Sequence, residues 1–302
     1  MKPVSTDLIR LQQTFGSRLQ SGVPLARYTS ARVGGPAEAL LKAENANELA
    51  MVVEALWEAD VPFFVLGGGS NILVSDAGVG EVVVLNRAKH VRFFDHDTPP
   101  TVWAESGANF GLLARQVAAR GLAGMEWAAG IPGTLGGAVV GNAGAFGSDL
   151  SANMVVAEIL HRTPEMEAEI LLTAKREQWS KERFGYGYRT SVLKQKPGKA
   201  IVLSATLQLE QSTPEMVQAR IDEHTIVRHR TQPPGASTGS MFKNPPGNYA
   251  GRLIDAAGLK GTQIGGAQIS PLHGNFFINL GKATASDFYK LIELAQQIVA
   301  EK

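Results

Sequence analysis

Apolar residues recur along the chain at helical spacing in some stretches and in short continuous runs in others, a pattern that predicts an α+β protein in three layers without internal repeat. Leu8, Leu11, Phe15 and Leu19 follow Ser5 at helical spacing, so a short amphipathic helix capped by Ser5 is expected. Asn45, with Glu48 three residues on, opens a second helix that turns Leu49, Val52, Val53, Leu56 and Trp57 inward and ends before Pro62. A buried strand, Phe63 to Leu66, then runs into Gly67-Gly68-Gly69-Ser70-Asn71. Extended chain is expected to resume at Ile72 to Val74 and at Val82 to Leu85.

A second unit starts with a strand at Val102 to Glu105. Its helix is capped by Asn109, carries Leu112, Leu113 and Val117, and closes at Gly121. Strands are expected at Val155 to Leu160, Glu169 to Leu172 and Ile201 to Leu209, the last alternating as a half-buried strand does. A third region opens with the cap and first-turn proline Thr213-Pro214, and its helix reaches about Arg228 before Pro233-Pro234. A polar loop, Ser237 to Pro246, follows it. Then come a helix over Ala250 to Ala257 stopped by Gly258, strands at Gln263 to Ser270 and Phe276 to Asn279, and a last helix from about Ser286.

With 44% hydrophobic and 19% charged residues in 302, the chain can bury a core, which excludes a disordered or fibrous protein. It has no cysteine, so a disulfide scaffold, a thiolate metal site and a cysteine nucleophile are all excluded, and a reducing cytoplasm suits it. A net charge of +1 gives no global attraction to nucleic acid or anionic membrane, so any anion must be held locally. Asp7, Arg10 and Arg18 break up the N-terminus, which does not read as a secretory signal. Trp127 to Ser148 is uncharged and long enough to cross a bilayer, but its seven glycines and Pro132 make a poor membrane helix.

That uncharged stretch carries candidate chemistry. Neither common phosphate-binding fingerprint is present, so a Rossmann or P-loop assignment is excluded. Yet Gly67-Gly68-Gly69 frees consecutive N–H groups to approach an anion, and Gly130-Ile131-Pro132-Gly133-Thr134 leads through Gly136-Gly137 to Gly141-Asn142-Ala143-Gly144. Read blandly, both are sites where backbone packs on backbone. Together they suit a large ligand with a pyrophosphate and a planar ring, such as a flavin. Ser240 stands outside any nucleophile-elbow motif, the six histidines show no metal-ligand spacing, and Arg228-His229-Arg230 reads as a solvated helix end or a phosphate contact.

These motifs occur in one order: Tyr28-Thr29, Arg32-Val33-Gly34-Gly35, Leu66 to Val74, Gly130 to Gly133, Gly141 to Ala145, Tyr188-Arg189 and Gly239 to Pro245. Ala256 to Gly261 and His273 to Phe276 follow. In this the chain, from about Tyr28 to Leu280, closely resembles the UDP-N-acetylenolpyruvoylglucosamine reductase family. The resemblance implies an FAD-binding part of two subdomains, of the vanillyl-alcohol oxidase type, and a C-terminal α+β substrate-binding domain. The expected divisions are 1–88, 89–210 and 211–302. The short path from Arg189 to Ser240 is similar to the family's second type, without the tyrosine loop that caps the substrate in the first.

The resemblance also implies roles. FAD, bound non-covalently and reduced by NADPH, would be held by Gly67, Gly68, Gly69, Ser70, Asn71, Gly130, Ile131, Pro132, Gly133, Thr134, Gly137, Asn142, Ala143 and Gly144. A Cβ at Gly68 would meet the pyrophosphate. The substrate, UDP-N-acetylglucosamine enolpyruvate, would meet Tyr188, Arg230, Lys243 and Asn244; Ser240 would protonate it and Arg189 would stabilise the developing negative charge. No metal, nucleic acid or membrane partner is implied, and a monomer is expected. The family usually continues past the last helix into a strand with a glutamate that assists protonation. This sequence stops at Lys302, and neither Glu293 nor Glu301 matches that position, so the chain is truncated or the third group comes from elsewhere. The alternatives are another FAD oxidoreductase of the same fold and a flavin-binding protein without turnover.

Overall fold

The computed structural model describes residues 6–162 and 174–302, so Ser5 and the strand expected at 169–172 lie outside the described residues. Contacts divide the chain into two compact units, each built from discontinuous segments: 1–21, 39–68 and 81–224 in the first, 22–38, 69–80 and 225–302 in the second. Residues 22–38 and 69–80 thus join the second unit, although in sequence they lie within the first expected division.

In the first unit, the helix Ala46–Glu58 forms as its sequence predicts, with the Asn45 side chain accepting the Glu48 N–H and Leu49, Val52, Val53, Leu56 and Trp57 all buried. It leads to the strand Phe63–Leu66, which pairs in parallel with Val79–Asn86. The largest sheet is antiparallel, in the order Ala174–Ser180, Met154–Arg162, Ala200–Gln208, Thr101–Glu105, Val91–Phe94. The expected alternation of the central strand Ala200–Gln208 holds from Ala205 on, with Ala205 and Leu207 buried, Thr206 half-buried and Gln208 exposed, and breaks only before it. Leu203 sits in a bulge where the register shifts opposite Glu158 and Ile159; it joins one apolar cluster with Leu49 and Leu160, while Val202, Ala205 and Leu207 join another with Phe110 and Leu135.

Glu105, at the end of a neighbouring strand, is buried, and its carboxylate accepts the N–H groups of Ala46 and His90, each at 2.8 Å. It thereby fixes the start of a helix to the sheet through charge-assisted hydrogen bonds. The helix Phe110–Ala119 is capped by Asn109, whose side chain accepts the Leu112 N–H, and Gly121 follows at φ +70°. Within the uncharged stretch lies a helix the sequence did not suggest, Leu135–Gly141, held by its buried Leu135, Ala138 and Val139 and ended by Asn142 in the left-handed region. Packing overrides glycine's low helix propensity there.

The second unit contains a four-stranded antiparallel sheet, in the order Ala236–Ser240, Phe276–Asn279, Ala267–Ile269, Gln263–Ile264. Three expectations change here. The run Gln263 to Ser270 is a hairpin turning at Gly265-Gly266, and the segment read as a loop from Ser237 starts as the strand Ala236–Ser240. Ile72 to Val74 forms no strand; Leu73 instead packs on a core of Ile254, Ile269, Phe277, Phe288 and Leu291, shared with Ala31 and Val33. Short apolar runs do not reveal whether they are buried by a ladder or by packing alone. The last helix, Ala285–Glu301, begins at a capping box of Thr284 and Asp287, reinforced by Asp76, which accepts the N–H groups of Ala285 and Ser286 at 2.8 Å.

Candidate active site

The two glycine segments of the first unit meet backbone to backbone. A Cβ on Gly68 would stand 2.8 Å from the Cα of Gly133, and one on Gly67 would strike the Thr134 hydroxyl. Gly133 in turn accepts the Phe110 N–H at 3.1 Å, and Gly136 donates to the Ser106 carbonyl at 2.7 Å, with only 2.9 Å available between a Cβ there and the Ser106 side chain. Thr134 caps the helix Leu135–Gly141 by accepting the Gly137 N–H. Whatever ligand lies beyond it, a Cβ at Gly68 would press on the Gly133 backbone and wedge the two segments apart. Gly67, Gly68, Gly111 and Gly136 are required by close packing.

What remains turned outward is uncharged. Gly68, Gly130, Pro132 and Gly137 are exposed, with Ile131, Gly133, Thr134, Ala143 and Gly144 half-buried among them. A Cβ on Gly137 would find nothing nearer than the Thr134 hydroxyl at 3.7 Å, and one on Gly141 would find nothing within 4 Å. Such a strip, free of charged side chains from Gly130 to Ala145 and abutting a second glycine turn, fits a planar, neutral ring system carrying a pyrophosphate, as the expected FAD does. Gly69, Ser70 and Asn71 continue into the second unit, where Gly69 accepts the Ser30 N–H at 2.9 Å and packs on the backbone of Tyr28 and Thr29.

Arg189 reaches the end of the same strip. Its guanidinium donates to the Asn142 carbonyl at 3.3 Å and to the Gly144 carbonyl, and lies 5.5 Å from the Tyr188 ring centre. Tyr188 is exposed. Arg189, Asn142 and Phe146 are all non-glycine residues at positive φ, +55°, +45° and +53°. Each left-handed residue costs of order 1–3 kcal/mol, and such outliers gather where function needs a particular geometry. Tyr186, stacked on Phe184 at 5.1 Å, stiffens the approach to this loop; burial and the nearby Asp149 carboxylate push its phenol above its usual pKa.

Asn142 is bonded on every side within the first unit. It is 2% exposed, and its side chain donates to Asp149 at 3.1 Å and to the Gly187 carbonyl at 3.2 Å while accepting the Ser151 N–H at 3.1 Å. Its N–H goes to Ala138 and its carbonyl to Arg189. Asn142 thereby ties the glycine-rich strip to the Arg189 loop.

Ser240 belongs to the second unit, exposed at the end of the strand Ala236–Ser240 and paired with Phe276. Gly239 precedes it at φ +74°, in a stretch where the register shifts. Lys243 is exposed, whereas Asn244 is half-buried and accepts the Ala250 N–H at 3.1 Å, capping the next helix. Arg230 is exposed in the last turn of the helix Pro214–Thr231, and Arg228 on the same helix is half-buried, its guanidinium pKa lowered by that burial.

Sequence reasoning passed over Asp149, Ser191 and Asn275. Ser191 is wholly buried and donates to the Val140 carbonyl at 2.7 Å, a second tie between the Arg189 loop and the strip. Asn275 is 3% exposed and grips the residues after Ser240. Its only sequence signal was a place in the His273 to Phe276 motif; long-range hydrogen bonds leave no periodic trace. Among the described residues, no group of three or more His, Asp or Glu could hold a metal ion, and no helix is long and apolar enough to cross a membrane.

The likenesses to known proteins agree with this arrangement. Residues 37–162 match the FAD binding domain family, and residues 231–302 match the family described as UDP-N-acetylenolpyruvoylglucosamine reductase, C-terminal domain. The UDP-N-acetylenolpyruvoylglucosamine reductase of Chloroflexus aggregans is 39% identical, over 97% of this chain and 96% of that relative, and the one from Bacillus subtilis is 39% identical over 97% and 92%. The crystal structure of the Thermus caldophilus reductase of the same name superposes with a TM-score of 0.77 at 36% identity, covering 93% of this chain and 95% of that one. An uncharged glycine-rich strip, a cationic loop tied to it, and relatives matched along nearly their whole length lead to one conclusion: the chain belongs to the UDP-N-acetylenolpyruvoylglucosamine reductase family and is an FAD-dependent oxidoreductase.

Proposed function

We propose that this protein reduces UDP-N-acetylglucosamine enolpyruvate to UDP-N-acetylmuramate with NADPH and non-covalent FAD, as a cytoplasmic monomer serving peptidoglycan precursor synthesis. The observation that carries the reading is the Arg189 guanidinium resting on the carbonyls of Asn142 and Gly144, at the end of the uncharged strip. FAD, when bound, would supply the hydride chemistry linking NADPH to the terminal vinyl carbon. The residues of this chain do the rest. Gly67 to Asn71, Gly130 to Thr134, Gly137, Ala143 and Gly144 hold the cofactor by backbone contact, which no charged side chain in those segments disturbs. No cysteine exists to attach a flavin covalently, and neither segment contains histidine.

Adding hydride to an enolpyruvyl ether places negative charge on the carboxylate-bearing carbon, and completing the reduction requires one proton there. Arg189 cannot lose its own charge and offers two parallel N–H groups to the carboxylate. The Ser240 hydroxyl donates the proton to the adjacent carbon and regains one from solvent. A cation close to the enolate lowers the cost of that charge and makes a weak acid sufficient. Tyr188, Arg230, Lys243 and Asn244 hold the sugar nucleotide. The test is NADPH oxidation with and without the enolpyruvyl sugar nucleotide: one equivalent of lactyl product per NADPH supports the reading. Oxidation indifferent to that substrate would identify a different oxidoreductase, and a bound flavin with no oxidation a binding protein.

A further inference from the structure

Ser240 stands between two unusual pieces of backbone. On one side is Gly239 at φ +74°, a conformation that leaves the strand out of register with its partner. On the other side ladder pairing ends at Ser240 and Phe276, and a single residue, through its main chain and its side chain, continues it. The Asn275 amide accepts the Phe242 N–H at 2.8 Å and donates to the Phe242 carbonyl at 2.8 Å, while the Asn275 carbonyl accepts the Met241 N–H at 2.8 Å. Three bonds from one residue thus fix the two residues directly after Ser240.

Asn275 is itself held from behind. Its N–H donates to His273 Nδ1 at 3.1 Å, and the buried Ser270 hydroxyl accepts the N–H groups of Leu272 at 3.1 Å and His273 at 3.3 Å. Burial lowers the His273 pKa, favouring the neutral ring that can accept at Nδ1. A Cβ on Gly274 would come within 2.8 Å of the Gly251 carbonyl, so the turn carrying Asn275 lies flat against the neighbouring helix. A carboxamide carries an acceptor and a donor side by side, so the one Asn275 side chain serves both the N–H and the carbonyl of Phe242.

We propose that Asn275 is the positioning residue for the Ser240 hydroxyl, holding the backbone after Ser240 so that an exposed serine at a strand end keeps one orientation toward the substrate. The proposal rests on the reading of Ser240 as proton donor. Asn275 touches no substrate in it and acts only through the Met241-Phe242 backbone.

The test is a double-mutant cycle on the full-length, FAD-loaded protein, following the NADPH half-reaction and the enolpyruvyl half-reaction separately by anaerobic stopped flow. Asn275→Asp keeps an acceptor for the Phe242 N–H but sets a carboxylate oxygen against the Phe242 carbonyl; Asn275→Ala removes both bonds. Each should slow the enolpyruvyl half-reaction on the order of 10- to 100-fold, as small misplacements of reacting groups do. The NADPH half-reaction and the substrate Kd should hold. In a Ser240→Ala background the same substitutions should cause no further slowing. Independent, multiplying losses, parallel decline of both half-reactions, or failure of both Asn275 variants to fold would each make Asn275 merely structural and overturn the proposal. Should Ser240→Ala alone leave the enolpyruvyl half-reaction unchanged, the reading of Ser240 fails instead, a result distinct from any of these.

Discussion

The Arg189 guanidinium donates to the main-chain carbonyl of Asn142 at 3.3 Å, and the Asn142 side chain donates back to the Arg189 loop at the Gly187 carbonyl, 3.2 Å away. The two residues thus lock each other in place, both at positive φ. Asn142→Gly keeps the left-handed backbone at no steric cost and removes the side chain. It removes the bonds to the half-buried Asp149 and Gly187 and from the Ser151 N–H, but Ser151 still donates to Asp149 at 3.0 Å and Gly187 still accepts the Thr190 N–H at 3.3 Å, so each lost bond costs about 0.5–1.5 kcal/mol. The expected outcome is a lower melting temperature together with a slower enolpyruvyl half-reaction at nearly unchanged FAD content. A variant that melts lower but turns over normally would show that Arg189 holds its place without Asn142.

The glycines of the uncharged strip and of the turn against it separate into two groups that substitution can distinguish. Gly68→Ala must push a Cβ to within 2.8 Å of the Gly133 Cα, so stability and FAD retention should fall together. Gly137→Ala meets nothing nearer than 3.7 Å and lies in a helix, where Ala exceeds Gly by roughly 0.5–1 kcal/mol. The apoprotein of Gly137→Ala should therefore melt higher than its parent while binding FAD more weakly. Thermal melts of the apoproteins and FAD titration check both; unweakened FAD binding by Gly137→Ala would remove that glycine from the cofactor surface.

These glycines also show what could be read from the sequence. Caps were legible because their signals are local: Asn45 with Glu48 and Asn109 with Leu112 form as written. The Gly-rich segments could be located but not interpreted, since the same residues serve close packing at Gly68 and open surface at Gly137. The bulge at Leu203 and the strand at Ala236–Ser240 were missed because they depend on partners far along the chain. Arg189 and Ser240 emerged through motif resemblance alone; nothing in the spacing of single residues distinguishes them from other surface arginines and serines. Asn275 stayed hidden for the same reason that it is informative, its partners being 33 residues away.

Asp76 gives a dependence on pH with a definite sign. Partial burial raises its pKa, but hydrogen bonds from the Ala285 N–H, the Ser286 hydroxyl and the Ser286 N–H together outweigh that and hold the carboxyl below its ordinary value. A carboxylate with a depressed folded pKa adds stability that is fully present above the unfolded value, ~3.9, and is lost as pH falls through the folded one. The melting-temperature gap between the parent and Asp76→Asn should stay level from neutral pH down to about 5 and close at lower pH. A gap that persists unchanged in acid would mean that the Asp76 charge contributes nothing to the capping of the last helix.

Ser240 carries the most discriminating prediction, because loss of a proton donor should slow only the half-reaction that consumes a proton at carbon. Ser240→Ala should keep its FAD, since the residue is exposed and its neighbours Met241 and Phe242 are held by Asn275 without it. Its NADPH half-reaction should run at nearly the parent rate, while the enolpyruvyl half-reaction should fall by roughly 10²–10⁴, the range of positioned acid–base groups. A serine that merely hydrogen-bonds its own loop would cost about 1 kcal/mol, less than tenfold in rate. The two cases differ by more than the scatter of stopped-flow rates. Solvent deuterium sharpens the contrast: in the parent it should slow the enolpyruvyl half-reaction alone, and in Ser240→Ala that isotope effect should change, because water must then deliver the proton. Equal slowing of both half-reactions, or an isotope effect unmoved by the substitution, would assign the proton to another group.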